Sequence, residues 1–429
     1  MRNKQVSLGL AAVLALFTIS TLTTATYAAA QSEKVLHSFG SNSKFGVGPS
    51  SSLIFDASGN LYGTTVNGGT DNIGTAYELS PKIGGGWTEK LLYSFAKNGT
   101  DGQNPAGGLI FDSAGNLYGT TDIGGTDGVG TVFELSPPVP PATTWTEKVL
   151  YSFLNNSTDG QNPANSLVMD SAGNLYGTTG SGGVFVVGTA FELRPTAGGG
   201  WTETVLHSFH QTAGGGDGSD PRSGLILDSA GNLYGTTLFG GALGGGTVYQ
   251  LSPSTGGTWT ETILYSFAND KVDGGLPSGG SLILDAAGNL YGTTTAGGPA
   301  GGGTVFRLSP SSGGVWKEKV LHYFLAQSSS DGSNPFGSLT LDSAGNLYGT
   351  TLVGGTGTCP GTQQACGIVY ELRPTAGLWI EKILHNFNEN GSDGYFPEGG
   401  VVLGSGGSLY GNTYYGGTFN EGTVFVVKP

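Results

Sequence analysis

The sequence predicts an all-β protein, a seven-bladed β-propeller whose blades are four-stranded antiparallel sheets. Three observations lead to this prediction. One motif recurs seven times, each copy carries four short segments rich in β-branched and aromatic residues, and the two ends of the chain hold complementary parts of one copy. Four strands in each repeat is the pattern of a propeller blade.

The repeat is marked by the string GNLYGTT, which recurs at spacings of 56 to 61 residues. In the second copy, the four segments around it are expected at 108–111, 116–121, 131–135 and 145–153. Glycine, proline or aspartate bounds each segment, and no segment sustains the apolar spacing of a helix, so all four are predicted to be strands. The six copies and a divergent seventh, GGSLYGNT, begin at Gly59, Gly115, Gly173, Gly231, Gly288, Gly345 and Gly406.

The N-terminal strand is predicted to close the ring by joining the last blade. The fourth segment has a tryptophan eight residues before a phenylalanine, as at Trp87 and Phe95, and a matching segment, EKVLHSF, ends at Phe39 before the first motif. At the other end, residues 422–427 form a third segment with no fourth segment after it. Joining the two would cover edges that otherwise pair with other molecules.

Residues 1–30 have the pattern of a secretory signal peptide. They begin with Arg2 and Lys4, continue through an apolar stretch at 8–22, and end in alanines at 28–30, which is the order that export and cleavage require. No later stretch reaches the roughly 18 apolar residues of a membrane helix. We therefore expect a secreted protein without a membrane span, or a periplasmic one if the host has an outer membrane.

The units P..GLIFDSAGNLYGTT..GG....GTVFELSP...WTEKVLYSF resemble the GloVer tandem repeats of exported bacterial proteins, and the resemblance covers residues 31–429. That resemblance implies a repeat propeller at the cell surface or outside the cell, often with a separate C-terminal anchor of variable type, and implies no particular activity. Residues 31–429 are expected to form a single propeller domain. The chain ends at Pro429 without a hydrophobic tail, so free secretion is expected rather than anchoring.

Charge and cysteine content exclude several classes of protein. The formal net charge is −14, and nucleic-acid binding requires a basic surface, so no nucleic-acid partner is expected. The two cysteines, Cys359 and Cys366, are expected to form a disulfide in an exported protein. They lack the further ligands that a structural zinc site needs, so no metal site is predicted.

Six aspartates in a repeated DGxxP string are the first candidates for ligand binding. They lie in the loops that lead from one blade to the next. These loops share a face of the propeller with the loops between the second and third strands, and we call it the mouth face. The aspartates can bind a cation such as calcium or a polyhydroxylated ligand, or each can cap its own loop. Repetition in nearly every blade favours capping. The six are Asp101, Asp159, Asp217, Asp273, Asp331 and Asp393.

Aromatic residues in the more variable loops between the second and third strands are the other candidates. They can stack on sugar rings or anchor a partner, or pack on neighbouring loops, where variation is tolerated. These residues are Phe185, Phe239, Tyr414, Tyr415 and Phe419.

The histidines argue against catalysis. Four of the five replace tyrosine in the outermost strand, and His210 alone lies in a loop of the mouth, without an accompanying acid or nucleophile in a recognisable arrangement. The sequence thus predicts a monomeric, non-catalytic scaffold that binds a polysaccharide or a protein partner, with no catalytic residue and no cofactor other than calcium as a candidate. One alternative is a propeller-type carbohydrate-active lyase, hydrolase or lactonase. The other is an architectural component of a matrix or an adhesion layer.

Overall fold

The computed structural model describes residues 33–40, 44–211, 216–277, 280–325, 330–359 and 365–429. These residues form seven four-stranded antiparallel arrays arranged as a seven-bladed β-propeller, which confirms the predicted fold. The one helical element among the described residues is a short 3-10 turn at Ser405–Gly407. The predicted signal peptide lies outside them.

Each blade runs from a two-residue inner strand beside the central axis to a long outer strand. From inner to outer strand, the blades are Ile54–Phe55, Leu61–Thr65, Thr75–Pro81 and Trp87–Ser94 (blade 1); Ile110–Phe111, Leu117–Thr121, Thr131–Ser136 and Thr146–Ser152 (blade 2); Val168–Met169, Leu175–Thr179, Thr189–Pro195 and Trp201–Ser208 (blade 3); Ile226–Leu227, Leu233–Thr237, Thr247–Pro253 and Trp259–Ser266 (blade 4); Ile283–Leu284, Leu290–Thr294, Thr304–Pro310 and Trp316–Tyr323 (blade 5); Thr340–Leu341, Leu347–Gly354, Ile368–Thr375 and Leu378–Asn386 (blade 6); and Val402–Leu403, Leu409–Thr413, Thr423–Val427 and Lys34–Ser38 (blade 7).

Blade 7 is completed by the N-terminal strand, as predicted. Lys34–Ser38 pairs antiparallel with Thr423–Val427, so that Val35 lies opposite Phe425. The backbone N–H of Phe39 extends the pairing by donating to the Gly422 carbonyl at 2.9 Å. The ring is therefore closed by hydrogen bonds between the two ends of the propeller.

In blades 1 to 6 the repeated motif forms the first hairpin through one aspartate, whereas blade 7 has Gly404 at that position and turns through Ser405–Gly407. In blade 2, Asp112 accepts hydrogen bonds from the backbone N–H groups of Ala114 and Asn116 at 2.8 and 2.9 Å. Its other oxygen accepts from the Asn116 side chain and from the Tyr118 hydroxyl at 2.8 and 3.1 Å. The Asp, Asn and Tyr of the string therefore fold the turn onto the strand that follows it.

The glycine of the YGTT string leaves room for an aromatic ring. A side-chain carbon at Gly119 would lie 2.6 Å from the tip of Phe133, a fully buried ring on the third strand. Every blade carries a tyrosine or phenylalanine at this position, and each ring lies across the second strand of its own blade. The seven rings are Tyr77, Phe133, Phe191, Tyr249, Phe306, Tyr370 and Phe425.

Neighbouring blades are joined by a second set of aromatic rings. The phenylalanine that follows each outer strand is fully buried and meets the third-strand ring of the next blade edge to face, as in Phe95 against Phe133, with ring centres 5.1 Å apart. Phe39 makes the same contact with Tyr77 at 5.0 Å and so links blade 7 to blade 1. The hydrophobic core is thus a circle of seven interfaces between blades. The inserted rings are Phe39, Phe95, Phe153, Phe209, Phe267, Phe324 and Phe387.

Deleting residues 33–39 is expected to open the ring and cause aggregation. The deletion exposes the edge of Thr423–Val427 and removes the ring that covers Tyr77, and an uncovered strand edge pairs with other chains. Size-exclusion chromatography and thermal unfolding measure the effect. Removal of the exposed Lys428 and Pro429 is the control and should change neither. A melting curve unchanged by the first deletion would refute closure.

Candidate functional site

A polar cavity of about 520 Å³ lies on the axis of the propeller. Its wall is made of the residues that precede the inner strands, and its rim includes residues that open the loop between the second and third strands, such as Asp122 and Ser181. The cavity therefore opens on the mouth face, which carries both loop types. Small residues dominate its wall because seven chain segments converge there.

The seven-fold symmetry of the propeller is broken at one position of this wall. The residue that directly follows the DGxxP proline is serine or alanine in blades 1 to 3, whereas blades 4, 6 and 7 place Arg222, Phe336 and Glu398 there. The blade 5 equivalent, residue 278, lies outside the described residues. A cation, an aromatic ring and an acid thus face one cavity from equivalent positions of different blades.

The charged groups of the cavity have distinct surroundings. The Arg222 Nε donates to Asp220 at 2.7 Å, while 64% of the Arg222 side chain remains exposed. Burial raises the pKa of Asp122, an effect that the Arg222 guanidinium partly offsets. Burial alone raises the pKa of Glu398 to about 7. At neutral pH the cavity can therefore offer both hydrogen-bond donors and acceptors.

Serine hydroxyls hold the wall of the cavity in place. The Ser166 hydroxyl accepts the backbone N–H of Gly108 at 3.0 Å and so connects the inner ends of blades 2 and 3. The Ser338 hydroxyl accepts from Ser281 at 2.9 Å in the same way between blades 5 and 6. These bonds position the inner segments before any ligand binds.

The structure places the predicted aspartates away from this cavity and does not bring them together. Asp101 is 3% exposed and lies near the outer edge of the ring, where one carboxylate oxygen accepts from the Tyr93 hydroxyl and the Ala96 N–H, both at 2.8 Å. Its other oxygen accepts the Gly102 N–H at 2.7 Å. The same capping contacts to the local loop recur, with a histidine in place of tyrosine in some blades, at Asp159, Asp217, Asp273, Asp331 and Asp393.

The predicted aromatic residues separate into two groups on the mouth face. Phe185 and Phe239 belong to the neighbouring blades 3 and 4 and are 53% and 42% exposed. Tyr414, Tyr415 and Phe419 belong to blade 7, where Tyr415 and Phe419 are exposed and Tyr414 is half-buried. Phe239 directly follows a residue of the cavity rim, Leu238, so the blade 4 ring lies closest to the cavity along the chain.

The two cysteines are joined in a disulfide. Cys359 and Cys366 have Cα atoms 5.5 Å apart and are buried in the blade 6 loop between the second and third strands. The bond ties together the two ends of this loop, whose residues 360–364 lie outside the described part of the chain.

Sequence reasoning missed a partly buried glutamate, with a solvent-inaccessible Oε1, at every interface between blades. In the 2/3 interface, Glu203 of the blade 3 outer strand has a solvent-inaccessible Oε1 without a hydrogen-bond partner in the described structure. Burial, and then the charge of Asp159, raises the pKa of Glu203 to about 8. The glutamate is visible in the sequence as the third residue of strings such as WTE. Only the tryptophan of these strings was used to predict the outer strands. The seven glutamates are Glu33, Glu89, Glu147, Glu203, Glu261, Glu318 and Glu381.

The chain belongs to the Gloeobacter/Verrucomicrobia repeat family, whose repeat model matches residues 16–226 and 200–425. The curated proteins contain no match to it. Among solved structures, a protein described as a putative oxidoreductase (glucose dehydrogenase) from Thermus thermophilus is 15% identical, with 75% of this chain and 94% of that chain covered and a TM-score of 0.41. A puromycin-hydrolyzing peptidase of Mycobacterium tuberculosis is 11% identical, with 86% of this chain and 50% of that chain covered and a TM-score of 0.47.

Raising the pH is expected to destabilise the propeller through the interface glutamates. The pKa of Glu203 in the folded chain, about 8, lies above its ordinary value of 4.5. The folded state then holds this proton more tightly than the unfolded state, so the stabilisation is complete below about pH 4.5 and is lost as the pH rises through about 8. Urea midpoints across that range should fall with pH, and less steeply for Glu203→Gln. Midpoints that rise across this range, or an equal slope in the variant, would contradict the assignment.

Replacing Asp159 with alanine is expected to lower the free energy of unfolding by about 1.5–3 kcal/mol, the scale of a hydrogen bond to a charged group. The substitution leaves the Tyr151 hydroxyl and the N–H groups of Leu154 and Gly160 without their acceptor. Chemical denaturation measures the loss, and the exposed Asp127→Ala is the control. If Asp159→Ala abolished ligand binding with no loss of stability, the residue would be a ligand-binding group instead of a cap.

Proposed function

We propose that the chain is an exported, non-catalytic binding protein that recognises a polyhydroxylated ligand, such as the end of a polysaccharide, at the mouth of the central channel. One observation carries the proposal. Arg222, Phe336 and Glu398 face the axial cavity from a position that holds only serine or alanine in blades 1 to 3. The structural needs of a blade do not account for these three side chains, because blades without them have the same fold.

The chemistry of the cavity supports a sugar as the ligand. Its volume of about 520 Å³ falls within the range of small-molecule sites. Arginine, amide and hydroxyl groups supply donors, and carboxylates supply acceptors, for the hydroxyl groups of a sugar. Phe336 within the cavity and Phe239 beside its rim offer flat apolar surfaces on which a sugar ring can stack.

Export is part of the proposal. Residues 1–30 carry the basic, apolar and small-residue order of a secretory signal. Among the described residues, no helix has the length and apolar character to cross a membrane. An oxidised cysteine pair also suits an environment outside the cytosol.

Glu398 favours one second candidate, a carbohydrate-active propeller enzyme. A carboxyl group whose pKa is raised to about 7 can act as a general acid near neutral pH. Catalysis would require Glu398 to protonate a leaving oxygen of the bound sugar. Glu398→Gln separates the two candidates, because an enzyme would lose turnover and a binding protein would have no turnover to lose.

Screening the mature chain on a glycan array, with and without calcium, tests the proposal. Arg222→Ala is expected to weaken binding about 10- to 100-fold, the equivalent of one charged hydrogen bond. Arg194→Ala is the matched control, since Arg194 also pairs with a carboxylate through Nε, at 2.8 Å, and is 59% exposed, but on a third strand remote from the cavity. Isothermal titration with each positive glycan gives the affinities.

The proposal fails if no glycan binds or if Arg222→Ala and Arg194→Ala bind alike. Self-association of the protein without glycan binding would instead support the architectural role. Unchanged melting temperatures in both variants are required for any of these comparisons.

A further inference from the structure

At six of the interfaces, a glutamate on the outer strand of one blade lies near the DGxxP aspartate that follows the outer strand of the preceding blade. At three of these interfaces, the outer strand of the preceding blade has a histidine where the others have a tyrosine. Each replacement gathers one imidazole nitrogen and two carboxylate oxygens within 4.8 Å. Such a donor set binds divalent transition metals, whereas phenol, carboxylate and carboxylate do not form a common metal site. The three groups are Glu33, His385 and Asp393; His207, Asp217 and Glu261; and His322, Asp331 and Glu381.

The three groups differ in geometry. His207 and His385 lie at hydrogen-bonding distance from their aspartates, with Nε2 to Oδ2 distances of 2.5 and 3.1 Å. His322 does not, because its Nε2 is 3.7 Å from Asp331 Oδ2 and 3.9 Å from Glu381 Oε1. These separations exceed those of a hydrogen bond.

Two polar atoms of the His322 group have no partner that explains their burial. The Nε2 of His322 and the Oε1 of Glu381 are both inaccessible to solvent and lack a hydrogen-bond partner among the described residues. The glutamate Oε1 lacks a partner at all seven interfaces, so the atom that distinguishes this group from the interfaces with tyrosine is the His322 Nε2. Buried polar atoms are nearly always satisfied, and a buried imidazole nitrogen that faces two carboxylates leaves a place for a cation between them. The three donors come from the outer strand of blade 5, the loop that follows it and the outer strand of blade 6.

We propose that His322, Asp331 and Glu381 bind one divalent transition-metal ion of the zinc class. Three protein ligands with a water in the fourth position is the arrangement of open zinc sites. Ligand atoms around a tetrahedral zinc lie about 3.3 Å apart, as follows from bonds of about 2.0–2.1 Å. The donors at 3.7 and 3.9 Å therefore need to approach by only a few tenths of an ångström.

The surroundings of Asp331 suit a metal ligand. Its Oδ2 accepts the backbone N–H of Leu325 at 3.1 Å, and its Oδ1 accepts that of Gly332 at 2.7 Å. A carboxylate oxygen has two lone pairs and can accept such a bond while it coordinates a metal, and hydrogen bonds of this kind orient metal ligands. The imidazole donor favours zinc over calcium, which prefers oxygen ligands.

The site would act as a cross-link between two blades. His322 and Glu381 belong to neighbouring sheets whose shared core includes the contact between Phe324 and Tyr370. An ion bound to both strands binds the folded ring and not the unfolded chain, so it raises the melting temperature as its concentration rises. This role is independent of ligand binding at the channel mouth.

Metal titration of the mature, untagged chain after chelator treatment tests the proposal. Zinc sulfate added at pH 7.5 in a calorimeter is expected to show one equivalent bound and to raise the melting temperature, and calcium chloride is expected to do neither. His322→Tyr should lose that equivalent and its thermal shift. It should still fold, because Tyr93, Tyr151 and Tyr265 occupy the equivalent position beside an aspartate and a glutamate.

His207→Tyr is the matched control and should keep the zinc equivalent. Glu381→Gln gives a second variant, expected to weaken zinc binding at least tenfold with little change in shape. Failure of the wild type to bind zinc, or the same stoichiometry and affinity in His322→Tyr and the wild type, would overturn the site. Loss of the equivalent in His207→Tyr but not in His322→Tyr would overturn it as well.

Discussion

The structure depends on one contact made seven times, the insertion of a phenylalanine from each outer strand against the aromatic ring of the next blade. A single four-stranded sheet of this size has an apolar face on each side and cannot bury both alone. The contact between Phe95 and Phe133 shows how neighbouring blades bury these faces against each other, since the ring that follows the outer strand of blade 1 completes the core of blade 2. Stability is thus a property of the circle rather than of any blade.

This constraint explains which parts of the fold could be predicted from sequence. The second strand of blade 2, expected at 116–121, is observed at Leu117–Thr121, because the turn, the small glycine and the covering ring all leave marks in one string. Ring closure could be predicted as well. The sequence before the first motif has the pattern of an outer strand, and the last repeat has a third strand without an outer strand to pair with it. Such features are repeated, and repetition makes them recognisable.

The candidate site could not be predicted to the same extent. The sequence places Asp101 in a loop on the mouth face but does not say how far that loop lies from the axis. The structure shows that the Tyr93 hydroxyl holds the carboxylate near the outer strand. The proline of the DGxxP string lies four positions after the aspartate, and the residue directly after that proline is the one that reaches the axis. Arg222 and Glu398 gave no motif to recognise, because each occurs once at a position where other blades have small residues. The burial and the neighbours that define their chemistry arise only when the segments before the inner strands of the blades converge on the axis.

The interface glutamates show the opposite case, in which a repeated residue has different neighbours in each blade. Glu203 lies near a tyrosine and an aspartate, whereas Glu381 lies near a histidine and an aspartate. The same position can therefore change its chemistry one blade at a time, because each interface shares few contacts with the others. A repeat protein can in this way acquire a local property without altering the ring.

The shared last blade has a consequence for how such chains change in number of repeats. Because the N-terminal strand Lys34–Ser38 completes the sheet that holds Thr423–Val427, the junction between chain ends falls inside a blade and not between two blades. Unequal recombination that duplicates or removes one internal repeat would add or delete one blade and would leave the pairing of Lys34–Ser38 with Thr423–Val427 unchanged. A change in the number of repeats would therefore not require a new contact between the first and last strands of the propeller.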